Sequence, residues 1–173
     1  MTGLNTELIN NVTAELLRIE EDCTFSAKRH FNASYRWEKY HYCVGLPSAL
    51  LAGIAGISAF NDYPILAGVL AILSTALTSV LTFLKPSERS EHHKSIGNQY
   101  SSLRNRSRLF RELEVAQPNE EIVVKINGLS SQRDELNSSA LNTSNSDYKK
   151  AQKDINENLH KYEVDKEKNN VHK

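Results

Sequence analysis

The sequence predicts an all-α membrane protein: a two-helix transmembrane hairpin joined on both sides to a cytoplasmic helical bundle. Three observations carry that prediction. Val44 to Leu84 is a run of 41 residues with one charge, Asp62. The rest of the chain is dense in charge, the whole holding 21 basic and 21 acidic residues in 173. From Asn5 to Cys43 there is neither glycine nor proline, and the composition favours helix. The mean hydropathy of −0.50 averages over these contrasting regions. Together they exclude a uniform soluble globule, a disordered chain and a disulfide scaffold. A balanced charge gives no general attraction to nucleic acid.

Residues 1–43 are expected to form an N-terminal cytoplasmic helix running straight into the first span. Leu16, Ile19, Cys23, Ser26, His30, Ala33 and Trp37 follow alternating spacings of three and four, a heptad seam weakened by its polar members. The hairpin, 44–84, divides into spans 44–60 and 65–84. Twenty helical residues rise roughly 30 Å, the thickness of the bilayer hydrocarbon. Asn61-Asp62-Tyr63-Pro64 between them is a tight turn that joins antiparallel neighbours. Trp37, Tyr40 and Tyr42 sit at one interface, Phe60 and Tyr63 at the tip, and Phe83 at the exit. Arg36 and Lys39 precede the hairpin, Lys85 and Arg89 follow it, and the tip is acidic, so both termini are expected in the cytoplasm. The first apolar run begins 43 residues in, so no cleavable leader is expected. Cys23 and Cys43, facing a reducing compartment with no motif spacing, are expected to be plain thiols.

On a helical projection of the second span, Ala67, Gly68, Ala71, Ser74, Thr75, Thr78, Ser79 and Thr82 share an arc of about 140°. In the first span Ser48, Ala52 and Gly56 recur every four residues, as do Gly45, Ala49 and Gly53, ridges that let backbones approach closely in lipid. Ser48, Ala52, Gly53 and Gly56 are therefore the helix-packing candidates. The small faces can pack on each other within one chain, each hydroxyl bonding back to its own helix. Alternatively several hairpins assemble, and Ser74, Thr75, Thr78 and Thr82 line a water-filled path, since hydroxyls solvate an ion without burying a charge. One hairpin has no room for a pore, so that second reading requires a homo-oligomer.

Residues 85–164 are expected to form a cytoplasmic helical region. After Pro86, Ser87 is the expected N-cap of a helix running to Pro118, with Ile96, Tyr100, Leu103, Phe110 and Leu113 on its apolar face. His93, Arg104, Arg108 and Arg111 lie on another side at one-turn spacings, within the only net-positive region, Lys85–Ala116. Arginine grips phosphate through paired hydrogen bonds, which makes these four the nucleotide or phosphate candidates. Ion pairing with Glu15, Glu20, Glu21 and Asp22, or attraction to anionic lipid, explains the same pattern. Asn119–Asn137 reads as a third helix weakened by Gly128, Asn142–Ser146 as a loop, and Tyr148, Ala151, Ile155, Leu159 and Tyr162 as the face of a last helix. A charged tail, 165–173, is expected to be disordered. No catalytic motif, metal-ligand spacing or cofactor fingerprint occurs, and His92-His93 reads as a solvated flank. An enzyme is not expected, nor a cofactor.

The order of several short segments is more specific than any one of them. These are the helix Phe31–Tyr42, the hairpin ending Thr82-Phe83-Leu84-Lys85-Pro86, and the His92 segment. Tyr100, Leu103-Arg104 and Phe110 follow, then Arg133-Asp134-Glu135-Leu136-Asn137 and Asp147-Tyr148-Lys149-Lys150-Ala151. Across most of 25–163 the chain resembles the SLATT family, the SMODS and SLOG-associating two-transmembrane effector domains of prokaryotic conflict systems. It departs from that pattern after Leu136, where Ser138-Ser139-Ala140-Leu141-Asn142 lacks an expected proline. The resemblance implies an antiphage effector in the bacterial inner membrane that oligomerises and permeabilises the lipid bilayer. It also implies a cyclic nucleotide ligand and a nucleotide-synthesising partner protein, and it brings no catalytic residues. The alternative is a membrane-anchored scaffold or nucleotide-sensing binding protein without pore activity.

Overall fold

The computed structural model describes residues 2–115 and 121–157, and these are helical nearly throughout, with no strand among them. The helices are α1 (Thr2–Phe60), α2 (Pro64–Leu84), α3 (Pro86–Leu109), α4 (Ile122–Ser139) and α5 (Asn145–Asn156), with a π-helical turn at Phe110–Glu114. The expected proline stop at Pro118 and the charged tail lie outside the described residues. Two compact units are formed, one by Met1–Asn32 with His93–Lys173, the other by Ala33–His92.

In the second unit the apolar end of α1 turns back into α2. Asp62 takes a left-handed conformation (φ 59°), the Tyr63 N–H bonds the Ser58 carbonyl at 3.0 Å, and this closes a Schellman-type end. Pro64 then opens α2 at the position where a missing N–H costs nothing. Pro47 sits inside α1 and withholds the N–H that would meet the Cys43 carbonyl, a gap that membrane helices tolerate. Both helices are long and apolar enough to cross a membrane. Their outer surfaces expose Phe60, Ile65, Ile72 and Phe83 by 71% or more, as lipid-facing residues do. At the far end Lys85 (φ 46°) caps α2 by donating to the Leu81 carbonyl, and its own carbonyl accepts from Arg89. Helix α3 therefore begins at Pro86, and Ser87 is inside the helix instead of capping it. The cause is that Lys85 alone forms the joint.

In the first unit α1, α3 and α4 share a core. One cluster is Val12, Leu16, Phe110, Val115, Ile122 and Ile126; the next is Ile19, Cys23, Ala27, Ile96, Tyr100 and Leu103. The expected α3 face departs at Leu113, which is 68% exposed, while Val115 is buried. The Val115 N–H reaches the Phe110 carbonyl at 3.2 Å, five residues back. That π-type step inserts one extra residue and rotates the face onward, so the inward spacing from Phe110 is five and not three. Helix α5 begins one residue after Ser144, whose side chain accepts from the Asp147 N–H while the Asp147 carboxylate accepts from the Ser144 N–H. It packs through Phe25–Tyr148, ring centres 4.9 Å apart, and through Asn32, which donates to the Asp147 carbonyl. On α4, Arg133 faces Glu15 and Asp22 of α1 at 3.7 and 3.6 Å.

Two expected outcomes follow from this core. Gly128 lies in the interior of α4, and a Cβ there meets nothing within 4 Å. Gly128→Ala should stabilise the detergent-solubilised chain by about 0.5–1 kcal/mol in thermal unfolding. Gly97→Ala should not show that gain, because its Cβ would fall 2.8 Å from the Phe31 ring. Burial, reinforced by the Asp22 carboxylate, pushes the Cys23 thiol from 9.0 up to about 12. Below pH 9 this leaves stability untouched; above it the unfolded chain releases a proton that the folded chain keeps, so stability falls. Cys23→Ala should flatten the alkaline decline in melting temperature between pH 9 and 11, and an unchanged slope would assign that decline to other groups.

Candidate functional site

The hairpin is joined by hydroxyls. Along the end of α1 the seam runs through Val44, Ser48, Leu51, Ala55 and Ser58, and along α2 through Ala67, Leu70, Ser74, Leu77 and Leu81. Spacings of four and three on both helices are those of heptad packing. At the middle, Ser74 Oγ donates to the Ser48 carbonyl at 2.9 Å, and Ser48 Oγ lies 3.0 Å from the Ser74 carbonyl as its donor. Thr78 Oγ1 is 2.8 Å from Ser48 Oγ, which has lone pairs to accept it. In lipid no water competes for these groups, so a satisfied interhelical set holds two helices that apolar surface alone does not drive together.

The sequence-predicted stripe is thereby divided. Ser74 is 7% exposed and belongs to the seam, with Thr78 beside it. Thr75, Ser79 and Thr82 face out of the hairpin, each donating to the carbonyl four residues earlier: Ala71, Thr75 and Thr78. The packing candidates divide too. Ser48 is in the seam, whereas Ala52, Gly53 and Gly56 are exposed, and a Cβ added at Gly53 or Gly56 meets nothing within 4 Å. A groove of about 500 Å³ opens alongside the seam, bordered by Ala52, Gly56, Gly68, Ala71 and Thr75 together with the seam residues Ala55, Ala67 and Ser74. The four-residue repeats are thus split, with Ser48 and Gly45 at the hairpin interface and Ala52, Gly53 and Gly56 left open.

Below the spans, in the same unit, Ser90 donates to the Ser34 carbonyl at 2.9 Å, and the Arg89 guanidinium lies 4.9 Å from the Trp37 ring centre. In the other unit His93 is buried rather than solvated. Its Nδ1 is 3.0 Å from Nδ1 of His30, and the His30 ring stacks on Tyr100. At that distance one Nδ1–H donates to the other Nδ1, the tautomers deciding which. Burial raises the Tyr100 hydroxyl above its ordinary range, with Cys23 adding to the effect, and the hydroxyl donates to Asn137 at 2.7 Å. Sequence reasoning placed His30 on the α1 seam but did not see its partner. The signal was there: His93 precedes Ile96, Tyr100 and Leu103 at heptad spacing.

The structure does not gather the four phosphate candidates at one site. His93 faces the core. Arg111 holds Glu20 of α1 by two bonds, at 2.7 and 3.2 Å, and also reaches Glu112. Arg104 and Arg108 are half-buried one turn apart on α3. Arg106, which sequence reasoning passed over, is exposed on the opposite side of that helix. Among the described residues no group of three or more His, Cys, Asp or Glu could hold a metal ion.

The hairpin lock predicts a measurable coupling. Ser48→Ala, Ser74→Ala and the double variant should give an interaction of about 0.6–1.7 kcal/mol in a thermodynamic cycle of detergent unfolding. Strict additivity would show that these bonds do not hold the spans together.

The profile of the SMODS and SLOG-associating 2TM effector domain family 4 matches residues 20–167 of the chain. No curated protein and no solved structure matches it.

Proposed function

The chain belongs to the SMODS and SLOG-associating 2TM effector domain family 4, and from that premise we propose that it is a non-enzymatic antiphage effector which oligomerises and permeabilises the bacterial inner membrane. In this reading both termini are cytoplasmic, and a nucleotide second messenger, made by a partner protein, controls the oligomer through the cytoplasmic helices. Arg104 and Arg108, half-buried one turn apart on α3, are the phosphate contacts of this reading. A ligand can shift such a balance only by binding the closed and open arrangements with different affinity.

The observation that carries the reading is the outer face of the hairpin. Thr75, Ser79 and Thr82 place hydroxyls on the exterior of α2, and the glycines of α1 leave room for another helix. Small residues on an exterior surface in lipid serve close helix contact, here with a further copy of the hairpin. The Thr75 hydroxyl, which shares a groove with Gly56, suits the border of an aqueous path, whereas Ser74 and Thr78 keep each hairpin intact. The second reading, an anchor that recruits a partner, is favoured by one fact: these outer hydroxyls already bond to their own helix.

Induction of the chain in bacteria should admit a membrane-impermeant dye. Thr75→Leu with Thr82→Leu should abolish entry while leaving insertion intact, and Gly53→Leu with Gly56→Leu should do the same by blocking contact between copies. Dye exclusion by inserted wild-type chain, with and without cyclic dinucleotides and the partner enzyme, would sink the pore reading and leave the anchor.

A further inference from the structure

At the end of the hairpin away from its turn, within the second unit, two arginines gather on one aromatic ring. Trp37 lies seven residues before the apolar run that opens at Val44, and Arg89 lies five beyond the last apolar residue, Leu84. At about 1.5 Å per residue both stand within roughly 10 Å of the hydrocarbon edge, and an arginine side chain reaches back to the phosphate level. There the Arg89 guanidinium lies 4.9 Å from the Trp37 ring centre, and the Arg36 guanidinium 5.1 Å from it. Tyr40 packs edge-on to the same ring, centres 5.9 Å apart. Ser90, which donates to the Ser34 carbonyl at 2.9 Å, fixes α3 against α1 at this level. Lys85 is answered by Glu88 at 3.0 Å. Arg89 is exposed and has no carboxylate partner among the described residues, since Glu38 and Glu91 make no ion pair with it.

We propose that Arg89 and Trp37 form a headgroup site for an anionic phospholipid, its phosphodiester on the guanidinium edge and its acyl chains along the apolar hairpin. A guanidinium over an aromatic ring uses its face, so the N–H donors around its edge stay free to grip phosphate in pairs. The same stacking selects the headgroup. An open indole face attracts a quaternary ammonium such as choline, but here guanidiniums already lie over the ring and repel another cation. A zwitterionic headgroup therefore loses that contact, whereas a glycerol headgroup leaves the phosphate charge uncompensated for the arginines. The site belongs to the leaflet away from the turn, whichever way the hairpin points. It stands apart from the pore reading, because an anchor and a pore would hold the lipid alike.

Trp37 is the only tryptophan in the chain, so its emission reports this site alone. The test titrates the full chain in detergent with short-chain phosphatidylglycerol, short-chain phosphatidylcholine and inorganic phosphate. Phosphatidylglycerol should saturate the change in emission at a concentration at least roughly fivefold below phosphatidylcholine, and inorganic phosphate should not saturate it in that range. Arg89→Gln should remove roughly fivefold of the phosphatidylglycerol affinity and leave phosphatidylcholine as it was. Lys39→Gln removes an exposed charge from the same juxtamembrane segment and should cost less. Far-UV ellipticity and melting temperature report that each variant is folded. Arg89→Lys keeps the charge and loses the paired edge; it should give an intermediate affinity, and it replaces the neutral variant if that one does not fold. Equal response of the wild type to both lipids, or undiminished phosphatidylglycerol affinity in folded Arg89→Gln or Arg89→Lys, overturns the site. Equal losses in Lys39→Gln and Arg89→Gln also overturn it, because diffuse charge then explains the preference. Saturation by inorganic phosphate at the lipid's own concentration assigns the arginine to a free anion and overturns the lipid.

Discussion

Lipid removes the force that holds most helices together, and the hairpin depends on what replaces it. Two apolar helices gain nothing by hiding from acyl chains, so association falls to close contact and to polar groups that water cannot solvate. Ser48, Ser74 and Thr78 meet that need in the middle of the spans. The seam held by Leu16, Ile19 and Cys23 in the first unit acquires serines, at Ser48 and Ser58, in the apolar part of α1. The same helical period thus serves two solvents with different side chains.

This arrangement decides which chemistry each face keeps. Residues that lock the seam are spent within the chain, and the outer hydroxyls and glycines stay available. In the bundle the division is similar. Arg111 is tied to Glu20, and His93 is hydrogen-bonded to His30. Arg89, just below the spans, gives Trp37 its face and keeps its donors. Charge that folding has not consumed marks where recognition can occur more reliably than charge density along the sequence does.

Lys85 ends α2 and begins α3 as one left-handed residue, and the Ser34–Ser90 and Trp37–Arg89 contacts hold α1 to α3 just below it. The π-helical turn, by contrast, is the one place in the described bundle where helical regularity yields, and it forms the wall of a groove.

Periodicity and solvent preference are local properties, and they were enough to give the two spans, the tight turn, the long first helix, the buried seam at Leu16, Ile19 and Cys23, and the family resemblance. What they could not supply is which of several equivalent faces meets a partner. Small residues at Gly53 and Gly56 suit helix contact in any register, yet the hairpin chose the heptad through Ser48 and Ala55 because its turn and its serines fix that register. Arginines at one-turn spacing look alike, yet only folding brings Glu20 to Arg111. The extra residue at Phe110–Glu114 has no spacing signature before the helix is built, and it alone exchanges Leu113 for Val115. The sequence by itself therefore determined the helical elements and which two of them are apolar enough to cross a membrane. Their registers, and hence the side chains left free to act, were settled only by tertiary contact, because register depends on which polar groups find partners across helices distant in the chain.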